Sequence, residues 1–233
     1  LIYSYQDNIL NKFSINSKYF GDEDFSLTCF NENNNSNRIK YELSASDAGK
    51  FFKILNYTTE IMDGVFSSEG YFGEIDNDYD IMGTVSIDNF RVMKAPIFAE
   101  LLLAASLTGL IEVLENDGIE FEQFDAQYFG KDKIYTITKS RAYGFSLGIT
   151  GAGTINSNNS SVEIKGSLIP AYKINSVFNN IPIIGEIISG NEDEGLFAIN
   201  YSTTGNWNDL ESEINPLSVL TPGLLRNIFD FLE

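Results

Sequence analysis

The chain has no histidine and only one cysteine among its 233 residues. The absence of histidine excludes Ser-His-Asp and Cys-His nucleophile systems, HExxH zinc sites and histidine proton shuttles. A lone Cys29 excludes an internal disulfide and a cysteine-rich metal site. We interpret Cys29 as a small apolar strand residue, the usual role of a free cysteine. The sequence therefore predicts no catalytic residues, no metal and no cofactor, in a protein that is not an enzyme.

Positive charge is also scarce. The sequence has 15 Lys and Arg residues and 33 Asp and Glu residues, which gives a formal net charge of −18. Nucleic-acid binding needs basic side chains that neutralise phosphates, so this balance excludes a nucleic-acid partner. It also disfavours adhesion to anionic lipid surfaces through charge. The hydrophobic fraction of 43% is ample for a folded core.

No apolar run is long enough to cross a membrane. The most apolar stretch, residues 95–114, is interrupted by Glu100, Glu112 and a Thr108-Gly109 break, whereas a spanning helix needs about 20 apolar residues. The chain begins at Leu1 without a methionine or a signal-peptide pattern. We therefore expect a piece of a longer protein, with any membrane anchor upstream of this chain.

Alternation of apolar and polar residues dominates the rest of the sequence. Runs with this period cover 13–17, 25–29, 38–43, 64–74, 79–93, 119–129, 133–140, 145–155, 162–169, 196–204 and 209–214. Period-two alternation is typical of β-strands. Short Asn- and Gly-rich turns join the runs, and parallel strands would need a helix between each pair. The pattern predicts an antiparallel meander.

Several of these strands carry apolar residues on both faces. Residues 196–201 do so, as do Ile134, Tyr135 and Ile137. A sheet with one solvated face would show a clean alternation. Two interpretations follow from the pattern alone: a sheet buried on both faces, as in a sandwich or under helices, or a sheet with an open apolar groove.

The predicted helices are few and short. Helical spacing and start signals place them at 48–55, 97–107, 110–115, 174–181 and 182–188, with a terminal apolar stripe from Leu217 to Phe231. Helices of one to three turns are unstable alone in water. They must therefore lie on the sheet, on lipid or on a partner.

Three short motifs suggest ligands but are weak. Asp76, Asp78 and Asp80 have the spacing of calcium ligands, and so does the acidic run 192–194, yet both lack the glycine and distal glutamate of an EF-hand loop. We interpret them as solvated acidic turns. The glycines of 148–153 lack the lysine and the following helix of a phosphate loop, so we expect them to permit close approach across a sheet.

One set of sequence blocks resembles a known family. It comprises the segments 87–92, 95–102 and 104–110 and, within 153–227, the words Pro-Ala-Tyr at 170–172, Glu-Gly-Leu-Phe-Ala at 194–198, Asn-Pro-Leu-Ser at 215–218 and Pro-Gly-Leu-Leu-Arg at 222–226. In this order the blocks resemble the C-terminal region of AsmA-like proteins, in the form found in alphaproteobacteria. The resemblance covers nearly the whole chain and is weakest over residues 1–40.

The resemblance implies a fold. AsmA-like proteins are similar in build to the bridge-like lipid transfer proteins of the YhdP and TamB kind. We therefore expect a mainly β protein: an elongated, curved antiparallel sheet forming an open β-trough, or groove, capped by a few short amphipathic helices. The chain would be a single domain, 1–233. Its parts would be N-terminal strands (1–45), a helix, hairpin and helical cap (46–115), and C-terminal strands with a helical insert and a terminal helix (116–233).

The resemblance also implies a function. The chain would be the periplasmic segment of a protein anchored in the inner membrane of a Gram-negative bacterium, and it would conduct phospholipid acyl chains along an apolar groove between the inner and outer membranes. We expect the groove lining to include Phe66, Tyr71, Phe90, Phe121, Phe145, Leu147, Leu168 and Phe197. Contacts with the outer membrane or an outer-membrane protein would come from Ile183, Ile184, Ile187, Leu224, Ile228 and Phe231. The alternative is a scaffold for outer-membrane protein assembly, which binds other β chains at a strand edge.

Overall fold

The computed structural model describes residues 2–6, 9–19, 21–31, 38–75, 79–170, 199–206 and 209–215. The elements are β1 (Ile2–Gln6), β2 (Ile9–Tyr19), β3 (Glu23–Phe30), β4 (Arg38–Ala45), α1 (Ala48–Ile54), β5 (Ile61–Ile75), β6 (Tyr79–Val92), α2 (Pro96–Ala104), α3 (Thr108–Asn116), β7 (Ile119–Lys131), β8 (Ile134–Tyr143), β9 (Leu147–Asn156), β10 (Ser161–Pro170), β11 (Ile199–Asn206) and β12 (Asp209–Asn215). Strands dominate, as the alternation predicts.

The described strands form one antiparallel sheet in strict chain order, β1 to β12. Each strand pairs with its sequence neighbours, and the sheet is not closed. The predicted fold class, a mainly β protein built on an open antiparallel sheet with short helices, is thereby confirmed. Strand β1 and the first residues of β2 lie within the predicted N-terminal strands (1–45), although none of the individual predicted runs covers them.

The pairing register sorts the side chains onto two different faces. Ala45 pairs with Phe66, which pairs with Ile87. One residue away, the partners Ser44, Ser67 and Ser86 point to the opposite side. The same separation continues through the sheet, so one surface is mainly aliphatic and aromatic and the other carries hydroxyl, amide and charged groups. We call them the apolar face and the polar face.

Glycines on the apolar face make room for tyrosine side chains that reach across neighbouring strands. A Cβ added at Gly83 would lie 2.6 Å from the Tyr41 hydroxyl, and one at Gly166 would lie 2.8 Å from the Tyr201 hydroxyl. Gly151, in the segment with glycines at alternate positions, also faces Tyr201. Here glycine permits close approach, as the sequence predicts for 148–153.

The three described helices lie at one end of the sheet, between strands β4 and β5 and between β6 and β7. The Asp47 side chain caps α1 by accepting the amide of Lys50 at 2.8 Å. Phe51 of α1 stacks on Phe66 at a ring distance of 5.4 Å, and Phe98 of α2 approaches Phe121 at 6.3 Å. The helices therefore bury aromatic residues of the strands they connect. The helices predicted at 174–188 and at the C-terminus lie outside the described residues.

We expect Gly166→Ala to destabilise the fold sharply. A Cβ at this position would lie 1.8 Å from the Thr150 carbonyl oxygen, so β9 and β10 would have to separate. The free energy of unfolding, measured by urea titration, should fall by about 2 kcal/mol or more, as for other strained core substitutions. Gly109→Ala is the control, because nothing lies within 4 Å of its added Cβ. Equal stability of the two variants would contradict the close approach.

Candidate functional site

A trough of about 1620 Å³ extends across the sheet from β3 to β12. Ser26 and Thr28 line it, whereas Leu27 between them does not. On β7, Gln123 and Asp125 line it and Phe124 does not. Nine further lining residues come from the row between these polar positions: Leu43, Ser68, Val85, Ala126, Ser140, Gly151, Gly166, Tyr201 and Ile214. Most of the lining nevertheless belongs to the face of Ser26 and Thr28, and neighbouring strand residues point to opposite faces, so we assign the trough to the polar face. We call it the polar trough.

Two rows of cross-strand partners form the polar trough. The first is Ser26, Ser44, Ser67, Ser86, Asp125, Arg141, Thr150, Ser167 and Asn200, and the second is Thr28, Glu42, Glu69, Thr84, Gln127, Lys139, Ala152, Lys165, Ser202 and Glu213. Nearly every member carries a hydroxyl, an amide or a charge. The sheet is therefore concave around polar chemistry.

Polar groups of the trough are bonded to one another. Arg141 pairs with Asp125 at 3.2 Å, and the Ser167 hydroxyl donates to the Asn200 side-chain oxygen at 2.6 Å. Acyl chains placed here would take these groups out of water without offering hydrogen bonds in return, which is costly. The polar trough is suited to water and to hydrophilic ligands.

The opposite, apolar face carries rows that also cross the sheet. The row nearest the helices contains Phe25, Ala45, Phe66, Ile87, Phe124, Ala142, Ile149, Leu168 and Ile199. The next row contains Leu27, Leu43, Ser68, Val85, Ala126, Ser140, Gly151, Gly166, Tyr201 and Ile214. In the second row Leu27, Leu43, Val85 and Ile214 remain half-buried. This middle row offers apolar contact surface.

Five of the predicted groove residues lie in the hydrophobic core. Phe66, Phe90, Phe121, Leu147 and Leu168 are all buried. Phe90 stacks on Phe121 at 5.3 Å, and Phe66 lies against α1. None of the five lines the polar trough. The sequence did not show that helices pack on two of them, α1 on Phe66 and α2 on Phe121.

The other predicted residues have different placements. Tyr71 pairs with Lys40 and Met82, and the Arg38 guanidinium lies over its ring at 3.5 Å. Phe145 is at the tip of the β8–β9 hairpin and is exposed. Phe197 lies outside the described residues, as do all six predicted membrane or partner contacts: Ile183, Ile184, Ile187, Leu224, Ile228 and Phe231.

A group of hydroxyls on the apolar face was not predicted. The Tyr41 hydroxyl is bonded to those of Tyr128 and Ser68, and the Ser68 hydroxyl donates to the Thr84 carbonyl at 2.8 Å. Burial raises the pKa of Tyr128. The Tyr201 hydroxyl donates to the Thr150 carbonyl at 2.8 Å, and burial raises its pKa to about 12. Tyr128 and Tyr201 are therefore neutral hydrogen-bonding groups in the folded protein.

Strand β12 forms one edge of the described sheet, and part of that edge is occupied. The backbone amide of Ser212 donates to the Glu100 carboxylate of α2 at 3.4 Å. Edge strands present unpaired amides that can recruit another β chain. A side chain from a helix at this position reduces the number of amides open to strand addition, which gives the scaffold alternative less support.

Metal and membrane features were also sought in the described part of the chain. No group of three or more Cys, Asp or Glu side chains there could hold a metal ion. No helix there is both long and apolar enough to cross a bilayer. The predicted acidic turn at Asp76 and Asp78 lies outside the described residues, as does the acidic run 192–194.

Comparison of the chain with family models, with curated proteins and with solved structures finds no match. The resemblance to AsmA-like proteins therefore stays a prediction.

The raised pKa of Tyr201 predicts a loss of stability in alkali. An unfolded tyrosine ionises near pH 10.0, whereas Tyr201 in the folded chain ionises near 12. Because the folded state holds the proton longer, the stabilisation is complete below pH 10 and is lost as the pH rises towards 12. The loss at this one residue should reach about 2 to 3 kcal/mol.

Urea unfolding at pH values between 9 and 11.5 measures this loss. Tyr201→Phe keeps the ring against the glycines and removes the titrating group, so its stability should fall less steeply over this range than that of the wild type. Parallel pH profiles for the two proteins would contradict the assignment.

Proposed function

We propose that this chain is a lipid-binding section of an AsmA-like lipid transfer protein, with acyl chains lying across the strands on the apolar face. The observation that carries the proposal is the middle row of that face. It crosses the sheet from β3 to β12 and keeps Leu27, Leu43, Val85 and Ile214 half-buried. Such side chains have apolar surface available for a ligand.

The dimensions support a lipid in this orientation. Neighbouring strands are about 4.8 Å apart. An extended acyl chain of about 20 Å would therefore cross roughly four strands, and each methylene removed from water contributes about 0.8 kcal/mol. Leu27, Leu43 and Val85 lie within such a length, with Ser68 of β5 between Leu43 and Val85. A chain can contact these aliphatic side chains without a charged group to hold it.

The polar trough is the less favourable place for acyl chains. Its walls include Glu42, Glu69, Lys139 and Lys165, and burying charged groups under a hydrocarbon costs far more than burying aliphatic ones. In the proposed arrangement the polar face stays in water. The acidic composition also favours solubility of an open sheet.

The proposal includes a cellular setting. In an AsmA-like protein this section would lie in the periplasm, joined to the inner membrane through an upstream helix, and would pass phospholipid towards the outer membrane. The support is the sequence resemblance together with the open, one-sidedly apolar sheet.

Substitutions on opposite faces of the same strand test the binding surface. Leu27→Asp places a charge in the middle row of the apolar face, whereas Ser26→Asp places the same charge in the polar trough. Binding of a fluorescent phospholipid to the purified chain should fall at least about tenfold with Leu27→Asp, the effect of losing one buried aliphatic contact and adding a charge. Ser26→Asp should bind as the wild type does.

Circular dichroism and urea unfolding confirm that each variant is folded. If Ser26→Asp loses binding and Leu27→Asp keeps it, the lipid lies in the trough and the proposal is overturned. The same conclusion follows if the wild type binds no phospholipid.

A further inference from the structure

The two ends of the sheet carry different side chains. The described turns at the far end, which join β7 to β8 and β9 to β10, consist of Asp132 and Lys133 and of residues 157–160, all polar. The near end holds α1, the α2–α3 connection and the tip of the β8–β9 hairpin. Sequence patterns do not reveal this difference, because it depends on which turns meet at one end.

The exposed apolar residues are concentrated at the near end. Among the described residues the five most exposed large hydrophobic side chains are Phe145 (81%), Tyr57 (77%), Leu103 (60%), Leu55 (59%) and Ile54 (51%). All five belong to α1 and the loop after it, to α2 or to the hairpin tip. At the far end the comparable residues are Ile134, at 42%, and Met82, at 37%.

These exposed residues belong to turns and to the last turns of helices. Phe145 occupies the three-residue turn between β8 and β9, and Leu55 and Tyr57 follow the last turn of α1. Exposed aromatic and aliphatic side chains on turns and helix ends can insert into a deformable surface that surrounds each of them. The boundary between headgroups and acyl chains is such a surface, and aromatic residues are favoured there.

The charge at the near end selects the kind of surface. Glu112, Glu115 and Asp117 of the α3 region are exposed there, as are Lys53 of α1 and Lys94, and the whole chain has a net charge of −18. Anionic headgroups would be repelled by these carboxylates. We propose that the near end inserts Ile54, Leu55, Tyr57, Leu103 and Phe145 into the surface of a zwitterionic lipid bilayer. This contact does not require that acyl chains bind to the sheet.

Flotation with phosphatidylcholine vesicles tests the contact. The wild-type chain should float with the vesicles, and Phe145→Glu and Tyr57→Glu should each lower the partition coefficient about tenfold, as expected when one aromatic side chain stays in water. Ile134→Glu is the matched control at the far end and should bind as the wild type does. Replacing a third of the lipid with phosphatidylglycerol should weaken binding at low salt.

Three outcomes would overturn the proposal: a wild-type chain that does not float, an equal loss with Ile134→Glu, or stronger binding to the anionic vesicles. The test is separate from that of the lipid-binding face. Leu27→Asp should leave flotation unchanged, and Phe145→Glu should leave the uptake of monomeric phospholipid unchanged.

Discussion

The register of the strands is the constraint on which the rest of the structure depends. Each apolar row and each polar row continues from strand to strand because the partners are matched residue by residue, as in Ala45–Phe66–Ile87 beside Ser44–Ser67–Ser86. A slip of one residue in any strand would move its whole apolar set to the wrong face. The tyrosine–glycine contacts help to fix the register, since Tyr41 fits over Gly83 and Tyr201 over Gly166 only in the observed pairing.

This strict sorting decides where a lipid could bind. The concave side of the sheet is lined by serine, threonine and charged residues, so its volume alone does not make it a lipid site. Per unit area, burial of aliphatic surface is favourable, while burial of unpaired polar groups costs more than that gain. Chemistry therefore outweighs shape here, and the half-buried aliphatic residues of the middle row are the better acyl-chain surface. Three of them, Leu43, Val85 and Ile214, are at positions that also line the trough.

Much of the fold could be predicted from the sequence, because alternation and turn residues are local signals. The strands from β3 to β12 and the three helices α1 to α3 lie close to their predicted ranges. The candidate lipid-binding surface was harder to predict, because it depends on which side-chain rows of the sheet the helices cover. Phe66 and Phe121 have the pattern of surface-forming strand residues, yet Phe51 and Phe98 of the helices pack on them. Similarly, the contact between Glu100 and Ser212 joins residues too distant in sequence for any local pattern to predict it.

If both proposals hold, the helices at the near end lie between the bilayer contact of that end and the acyl-chain surface of the middle row. The row of the apolar face closest to that end is buried at Ala45, Phe66 and Ile87. A lipid leaving a bilayer at the near end would therefore meet covered surface before it reached the half-buried middle row. The cover in this region is α1, whose start is held by the Asp47 cap and whose Phe51 packs on Phe66. Helices of this length depend on such tertiary contacts for their stability, so the contacts of Phe51 keep α1 between the two surfaces.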